Sequence, residues 1–224
     1  MTITMTNGPA PHGGQRVHHV GAAPAEADAA MILIHGRGAS ARDILMLASA
    51  FERSNVAYFA PQAAGSVWYP QRFIEPTMRN EPYLSAALNT VAGLLADIEA
   101  AGIAAERTII LGFSQGACLA TEFGARFPRR YGGIVGLSGG LIGTDVEVTA
   151  HTGDLKGTPV ILGCSDVDFH IPLERVQATT RVLSAMKGQV DETIYPGMGH
   201  GVVDDEVRQV QALIDRVIGT TRTA

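Results

Sequence analysis

The chain of 224 residues has only two cysteines, Cys118 and Cys164, too few for a disulfide framework. Both stand beside apolar residues and read as buried free thiols, which suits a reducing compartment. No apolar run approaches the ~20 residues that a membrane-crossing helix needs, so no stable membrane insertion is expected. The first residues lack a basic stretch followed by an apolar one. No signal peptide is therefore expected, and the expected setting is cytoplasmic. Charge is also scarce, at 17 % of residues, with a net value of −5. A mildly acidic chain has no counterion-release drive toward nucleic acid or an anionic membrane. The small basic cluster of Arg126, Arg129 and Arg130 reads as a solvated helix C-terminus that complements the helix dipole.

Hydrophobic residues make up 46 % of the chain, enough for a sizeable core. Residues 1–15 are rich in Gly, Pro and Thr and are expected to form a flexible N-terminal segment. Residues 16–224 are expected to form one domain. Met5 is an alternative start residue.

From Val17 onward short apolar runs alternate with helical patterns. The strand-like runs are Val17–Gly21, Met31–His35, Val56–Ala60, Thr108–Phe113, Gly133–Leu137, Pro159–Gly163 and Glu192–Tyr195. Several are continuously apolar, as strands buried on both faces should be. The clearest helix starts near Pro82, carries Leu84, Leu88, Val91, Leu95 and Ile98 on one face, and ends at Gly102. A second starts near Pro172 with Leu173, Val176, Leu183 and Met186 inward. Others are expected over Ala41–Phe51, Gln115–Phe127 and Asp204–Ile218. The alternation predicts an α/β fold, with a doubly wound, mostly parallel sheet flanked by helices. Only about 20 residues separate the strands at 133–137 and 159–163, too few for a large cap domain. Ligands of such sheets bind beyond the carboxyl ends of the strands, and the polar motifs fall on those loops.

Gly112-Phe113-Ser114-Gln115-Gly116 fits Gly-x-Ser-x-Gly between an apolar strand and a helix. Small flanking residues let strand and helix approach, so that Ser114 projects above the sheet as a nucleophile. A serine hydroxyl needs a proton acceptor. In this strand–turn–helix class the acid and then the histidine follow the serine in sequence. His151 reads as exposed in a polar loop, and His170 lies too early, beside the acid candidates. His200, in a glycine-rich loop after the last strand, is the base. Asp166 and Asp168 share the loop after Pro159–Gly163. Counting back from Pro172 favours Asp168, while counting forward from Gly163 favours Asp166. Asp168 is preferred as the acid and Asp166 is kept as the alternative. A metal set of Asp166, Asp168 and His170 lacks further ligands nearby, so neither a metal nor another cofactor is expected. Gly36-Arg37-Gly38 follows an early strand and can aim the backbone N–H of Arg37 at the nucleophile. The N–H of Gln115 is the second oxyanion donor. The Arg37 side chain is then free for another task, and His35 is structural.

His35-Gly36-Arg37-Gly38, Gly112-Phe113-Ser114-Gln115-Gly116 and Gly197-Met198-Gly199-His200 together resemble the phospholipase/carboxylesterase family of small α/β-hydrolases, which includes acyl-protein thioesterases. The resemblance runs from about Gly14 onward over most of the chain. It implies the α/β-hydrolase fold, triad roles for Ser114, Asp168 and His200, and an oxyanion hole from the N–H groups of Arg37 and Gln115. Two features depart from the family pattern. The acid loop is two residues longer than usual, with Phe169 where the family has proline. Arg37 stands where thioesterase members often have a small apolar residue.

The segment Pro61–Asn80 is a long loop, and long loops in compact domains are usually functional. Its Trp68, Tyr69 and Phe73 are pocket candidates, Trp68 first. Hydrolysis of small to medium acyl or aryl carboxylic esters is the expected activity, with a small-molecule ester as the partner and a monomer or homodimer as the assembly. Acyl thioesterase or lysophospholipase-like activity is the alternative enzyme reading. The alternative of another class is a non-catalytic binding protein on a hydrolase fold.

Overall fold

The computed structural model describes residues 2–6 and 8–219. An eight-stranded sheet is built from β1 (Thr2–Met5), β2 (Arg16–Gly21), β3 (Ala29–Ile34), β4 (Val56–Pro61), β5 (Thr108–Phe113), β6 (Gly133–Leu137), β7 (Pro159–Ser165) and β8 (Gln189–Tyr195). Its spatial order is β1-β2-β4-β3-β5-β6-β7-β8. β1 and β2 run antiparallel, β2 and β4 likewise, and every pairing from β4 to β8 is parallel.

Six α-helices are described: α1 (Ala41–Phe51), α2 (Tyr83–Ala100), α3 (Gln115–Arg126), α4 (Asp145–Thr149), α5 (Leu173–Ala185) and α6 (Asp204–Gly219). Among the described residues no helix is long and apolar enough to cross a membrane. The period-2 alternation of a strand explains why β3 is apolar throughout. Ala30, Ile32 and Ile34 join the core under α2, α3 and α5, while Ala29, Met31 and Leu33 join the core under α1 and α6. The α2 face expected from spacing (Leu84, Leu88, Val91, Leu95, Ile98) is buried as a unit. The helix gives way to Gly102 at φ 98°, a left-handed conformation suited to glycine.

The expected strands and long helices are present, with shifted ends. β3 starts two residues earlier and β8 three residues earlier than their apolar runs imply. β8 is a sheet edge and only partly buried, so its first residues need not be apolar. Between β6 and β7 there is only the short α4 and no cap. Within residues 1–15 the described parts are packed on the domain. Thr2–Met5 pairs with Arg16–His19, and His12 is fully buried with its ring 5.3 Å from that of Trp68.

Candidate active site

The site lies at the carboxyl ends of β3, β5, β7 and β8. At the end of β5, Ser114 adopts φ 56° and ψ −118° as it turns into α3. A non-glycine residue there is strained and must be held by its surroundings. Glycines make this possible. A Cβ on Gly112 would lie 2.0 Å from the Gly116 carbonyl oxygen, and one on Gly116 would lie 2.0 Å from that of Ile34. Any side chain at either position would push strand, turn and helix apart. Ser114 N–H donates to Leu137 O at 2.9 Å and ties the turn to β6.

Ser114 Oγ lies 2.9 Å from His200 Nε2, and His200 Nδ1 lies 2.7 Å from Asp168 Oδ2. The other Asp168 oxygen accepts from the N–H groups of His170 (2.9 Å) and Ile171 (3.2 Å). As a carboxylate, Asp168 only accepts, so the proton on Nδ1 belongs to the histidine. That leaves the Nε2 lone pair facing the serine hydroxyl, the tautomer that general-base chemistry requires. Asp166 does not reach His200. It accepts from Gly197 N–H at 2.8 Å, while Ser165 Oγ accepts from Gly199 N–H at 3.1 Å. Two side chains of the acid loop therefore pin the glycine-rich loop that carries the histidine. The His200 ring is flanked by Phe113 at 5.0 Å and His170 at 4.8 Å.

Gly36 packs against Ser114 and Phe113, which brings the start of the Gly36-Arg37-Gly38 loop beside the nucleophile. Gln115 opens α3, and the N–H of a first helical residue has no acceptor within its helix. His35 is fully buried. Its Nδ1 donates to Gly36 O at 2.8 Å, and its Nε2 accepts from Ala63 N–H at 3.1 Å. Burial holds its pKa below the ordinary value, so it stays neutral and structural. The Arg37 side chain is not free. Its Nη2 donates to the carbonyls of Tyr69 (2.7 Å) and Gln71 (2.9 Å).

Those bonds belong to a wider clamp on the 61–80 loop. The Gln115 side chain accepts from Trp68 N–H and donates to Tyr69 O. His12 donates to Trp68 O and accepts from Ala64 N–H. Gly143 N–H donates to Phe73 O, and Glu147 accepts from Thr77. The loop thus forms a fixed wall of a cleft of about 500 Å³ over Ser114 and His200. Tyr69 and Phe73 line the cleft, together with Arg72, Cys118, His170 and Ile171. Trp68 does not, which corrects the first pocket candidate. It is fully buried behind the wall, and its indole N–H donates to His35 O at 2.9 Å. A polar handle that finds a backbone acceptor is the common fate of a buried tryptophan.

His151 is also corrected. It is half-buried, and its Nε2 lies 3.4 Å from the fully buried Glu122 carboxylate. The basic cluster is not simply solvated, since Arg126 pairs with Glu122 and Arg129 with Glu99. Cys118 and Cys164 are buried free thiols, and burial pushes both up to about 12. Among the described residues no group of three or more His, Cys, Asp or Glu side chains is arranged to hold a metal.

Sequence reading missed Ser165 as a clamp on the histidine loop, and Arg72, His170 and Ile171 as cleft residues. The position of His170 and Ile171 just after the acid was the available signal.

Residues 16–218 match the phospholipase/carboxylesterase family. A phospholipase/carboxylesterase from Dyadobacter fermentans is 38 % identical with a TM-score of 0.87, over 93 % of this chain and 99 % of that one. Acyl-protein thioesterase 1 of Gibberella zeae is 33 % identical over 50 % of this chain and 49 % of its own length. Carboxylesterase SOBER1 of Arabidopsis thaliana is 26 % identical over 61 % of this chain and 60 % of its own. The chain spans about half the length of the curated relatives it matches. With a match that covers nearly the whole domain, this chain belongs to the phospholipase/carboxylesterase family, on the α/β-hydrolase fold.

Proposed function

We propose that the protein is a serine carboxylesterase that hydrolyses small to medium acyl or aryl esters. The observation that carries the reading is the hydrogen-bonded line from Ser114 Oγ through His200 to the buried Asp168. His200 Nε2 takes the hydroxyl proton as Ser114 attacks the ester carbonyl. Asp168 holds the ring and stabilises the imidazolium. The backbone N–H groups of Arg37 and Gln115 receive the tetrahedral oxyanion, and the α3 N-terminus adds a favourable dipole. The alcohol departs with the proton from His200. Water, deprotonated by the same imidazole, then releases the acid from the acyl-enzyme.

Tyr69 and Phe73 give the cleft apolar walls, and its modest volume favours short and medium chains over long lipids. A cytoplasmic setting is supported by the two buried, unpaired thiols. Acyl-thioester hydrolysis is the second reading, favoured by the similarity to acyl-protein thioesterase 1 of Gibberella zeae.

The test is turnover of p-nitrophenyl esters from acetate to palmitate by wild type and Ser114→Ala, with matched thioesters alongside. Short and medium esters should be hydrolysed, and the variant should lose a factor on the order of 10⁴–10⁶. Equal activity of the two proteins would remove the nucleophile assignment, and a marked thioester preference would move the reading to the thioesterase.

A further inference from the structure

The charge of the cleft does not match the charge of the chain. The protein carries a net −5, yet no Asp or Glu lines the cleft, whereas Arg37, Arg72, His170 and His200 do. Arg37 is occupied by two loop carbonyls, and His200 faces Ser114 and Asp168. Arg72 differs from both. Its side chain is exposed and makes no hydrogen bond or ion pair among the described residues. The nearest acid in sequence, Glu75, is paired with Arg79 at 2.7 Å.

The backbone that presents Arg72 is fixed. The fully buried Asn80 accepts from Gln71 N–H at 2.8 Å and donates to Arg72 O at 3.3 Å. Glu75 N–H also donates to Arg72 O, and Gly143 holds the next residue, Phe73. An unpaired guanidinium thus stands on a clamped turn, at a concave surface walled by Tyr69, Phe73, Phe113 and Ile171. Apolar walls lower the local dielectric and strengthen attraction for an anion relative to open water. The planar fork of the guanidinium matches a carboxylate in two-point contact.

We propose that Arg72 is a specificity-determining residue that receives a carboxylate on the substrate, so that this enzyme prefers monoesters bearing a free carboxylate over neutral esters. The inference rests on the esterase reading above and names the substrate class of that site. Arg72 takes no part in bond making. It recruits and orients the ester while Ser114 and His200 act.

The test compares kcat/KM within two pairs at low ionic strength. With the charge on the acyl side, mono-4-nitrophenyl adipate is set against 4-nitrophenyl hexanoate. With the charge on the alcohol side, 4-acetoxybenzoate is set against its methyl ester. Wild type should favour the anionic member of one pair by about fivefold, mainly through KM, the size expected of a charge pair at an exposed guanidinium. Arg72→Gln should bring that ratio toward one, Arg72→Lys should restore part of it, and added salt should compress it in wild type. The pair that responds identifies the side of the ester that meets Arg72. A ratio near one in both wild-type pairs, or a preference that survives Arg72→Gln, overturns the inference. If the neutral esters are hydrolysed in a Ser114-dependent manner in that case, the esterase reading stands without it. If none of the four esters is hydrolysed, both fall.

Discussion

Glu206 is a buried acid in the first turn of α6 that the proposed chemistry does not use. It is fully buried, with one carboxyl oxygen accepting from Val203 N–H at 2.9 Å and the other without a hydrogen-bond partner among the described residues. A Cβ on Gly163 would come within 2.0 Å of that second oxygen, so the group is packed on the backbone of β7 just below the acid loop. Burial, with the charge of Asp205 adding to it, pushes its pKa up to about 7 against an ordinary 4.5. The folded protein therefore holds a proton that the unfolded chain releases between those values. The stability linked to that proton is complete below pH 4.5, falls as pH rises, and is gone above about 7. At 1.36 kcal/mol per pH unit the loss is about 3 kcal/mol, a large part of a typical 5–15 kcal/mol total. Glu206→Gln keeps an acceptor for Val203 and removes the titration. Urea unfolding of wild type and variant at pH 5, 6.5 and 8 isolates the effect, because every other group cancels in the difference. The two should lie within about 1 kcal/mol of each other at pH 5, and the variant should gain about 3 kcal/mol over wild type by pH 8. A difference that stays constant across this range would mean that Glu206 does not change protonation between pH 5 and 8.

Four further outcomes are expected. Asp168→Asn should lower kcat by about 10⁴, because the amide oxygen stays with the His170 and Ile171 N–H groups and its NH2 turns to Nδ1, imposing the wrong histidine tautomer. Asp166→Ala, which frees only Gly197 N–H, should cost less than about tenfold, and steady-state kinetics separates the two. A thiol-reactive dye should leave Cys118 and Cys164 unlabelled in the native protein and label both after unfolding, since each is buried with its pKa near 12. Trp68→Phe should cost about 1–3 kcal/mol through the orphaned His35 carbonyl, with no shift in acyl-length preference because Trp68 lies behind the cleft wall. Denaturant midpoints and the ester series check both halves.

The serine turn was legible in sequence because its steric needs are severe. Two residues that cannot carry a Cβ flank a strained residue, and that requirement is written as Gly112 and Gly116. The choice between Asp166 and Asp168 was only half legible: the count back from Pro172 favoured Asp168 and the count forward from Gly163 favoured Asp166, because both sit in one loop within reach of the histidine loop. What separates them is which carboxylate turns inward to meet the His170 and Ile171 N–H groups, and loop length does not encode that. Trp68 was misplaced because an aromatic on a long loop can face the cleft or brace the loop, and only the His35 carbonyl decides. The β1 pairing and the burial of His12 depend on contacts with β2 and the 61–80 loop, distant in sequence, so a Gly/Pro/Thr-rich segment gives no local sign of them. α4 is too short for a periodic pattern, although the capping box of Thr144 and Glu147 marked its start.

The role proposed for Ser114 is that of an activated nucleophile. The most direct test is reaction with a fluorophosphonate, followed by mass-spectrometric mapping of the adduct, in wild type, Ser114→Ala and His200→Ala. One adduct per chain on Ser114 is expected in wild type, none at that position in Ser114→Ala, and labelling slowed by orders of magnitude in His200→Ala. A wild-type protein that stays unlabelled, or an adduct that forms equally fast without His200, would contradict it.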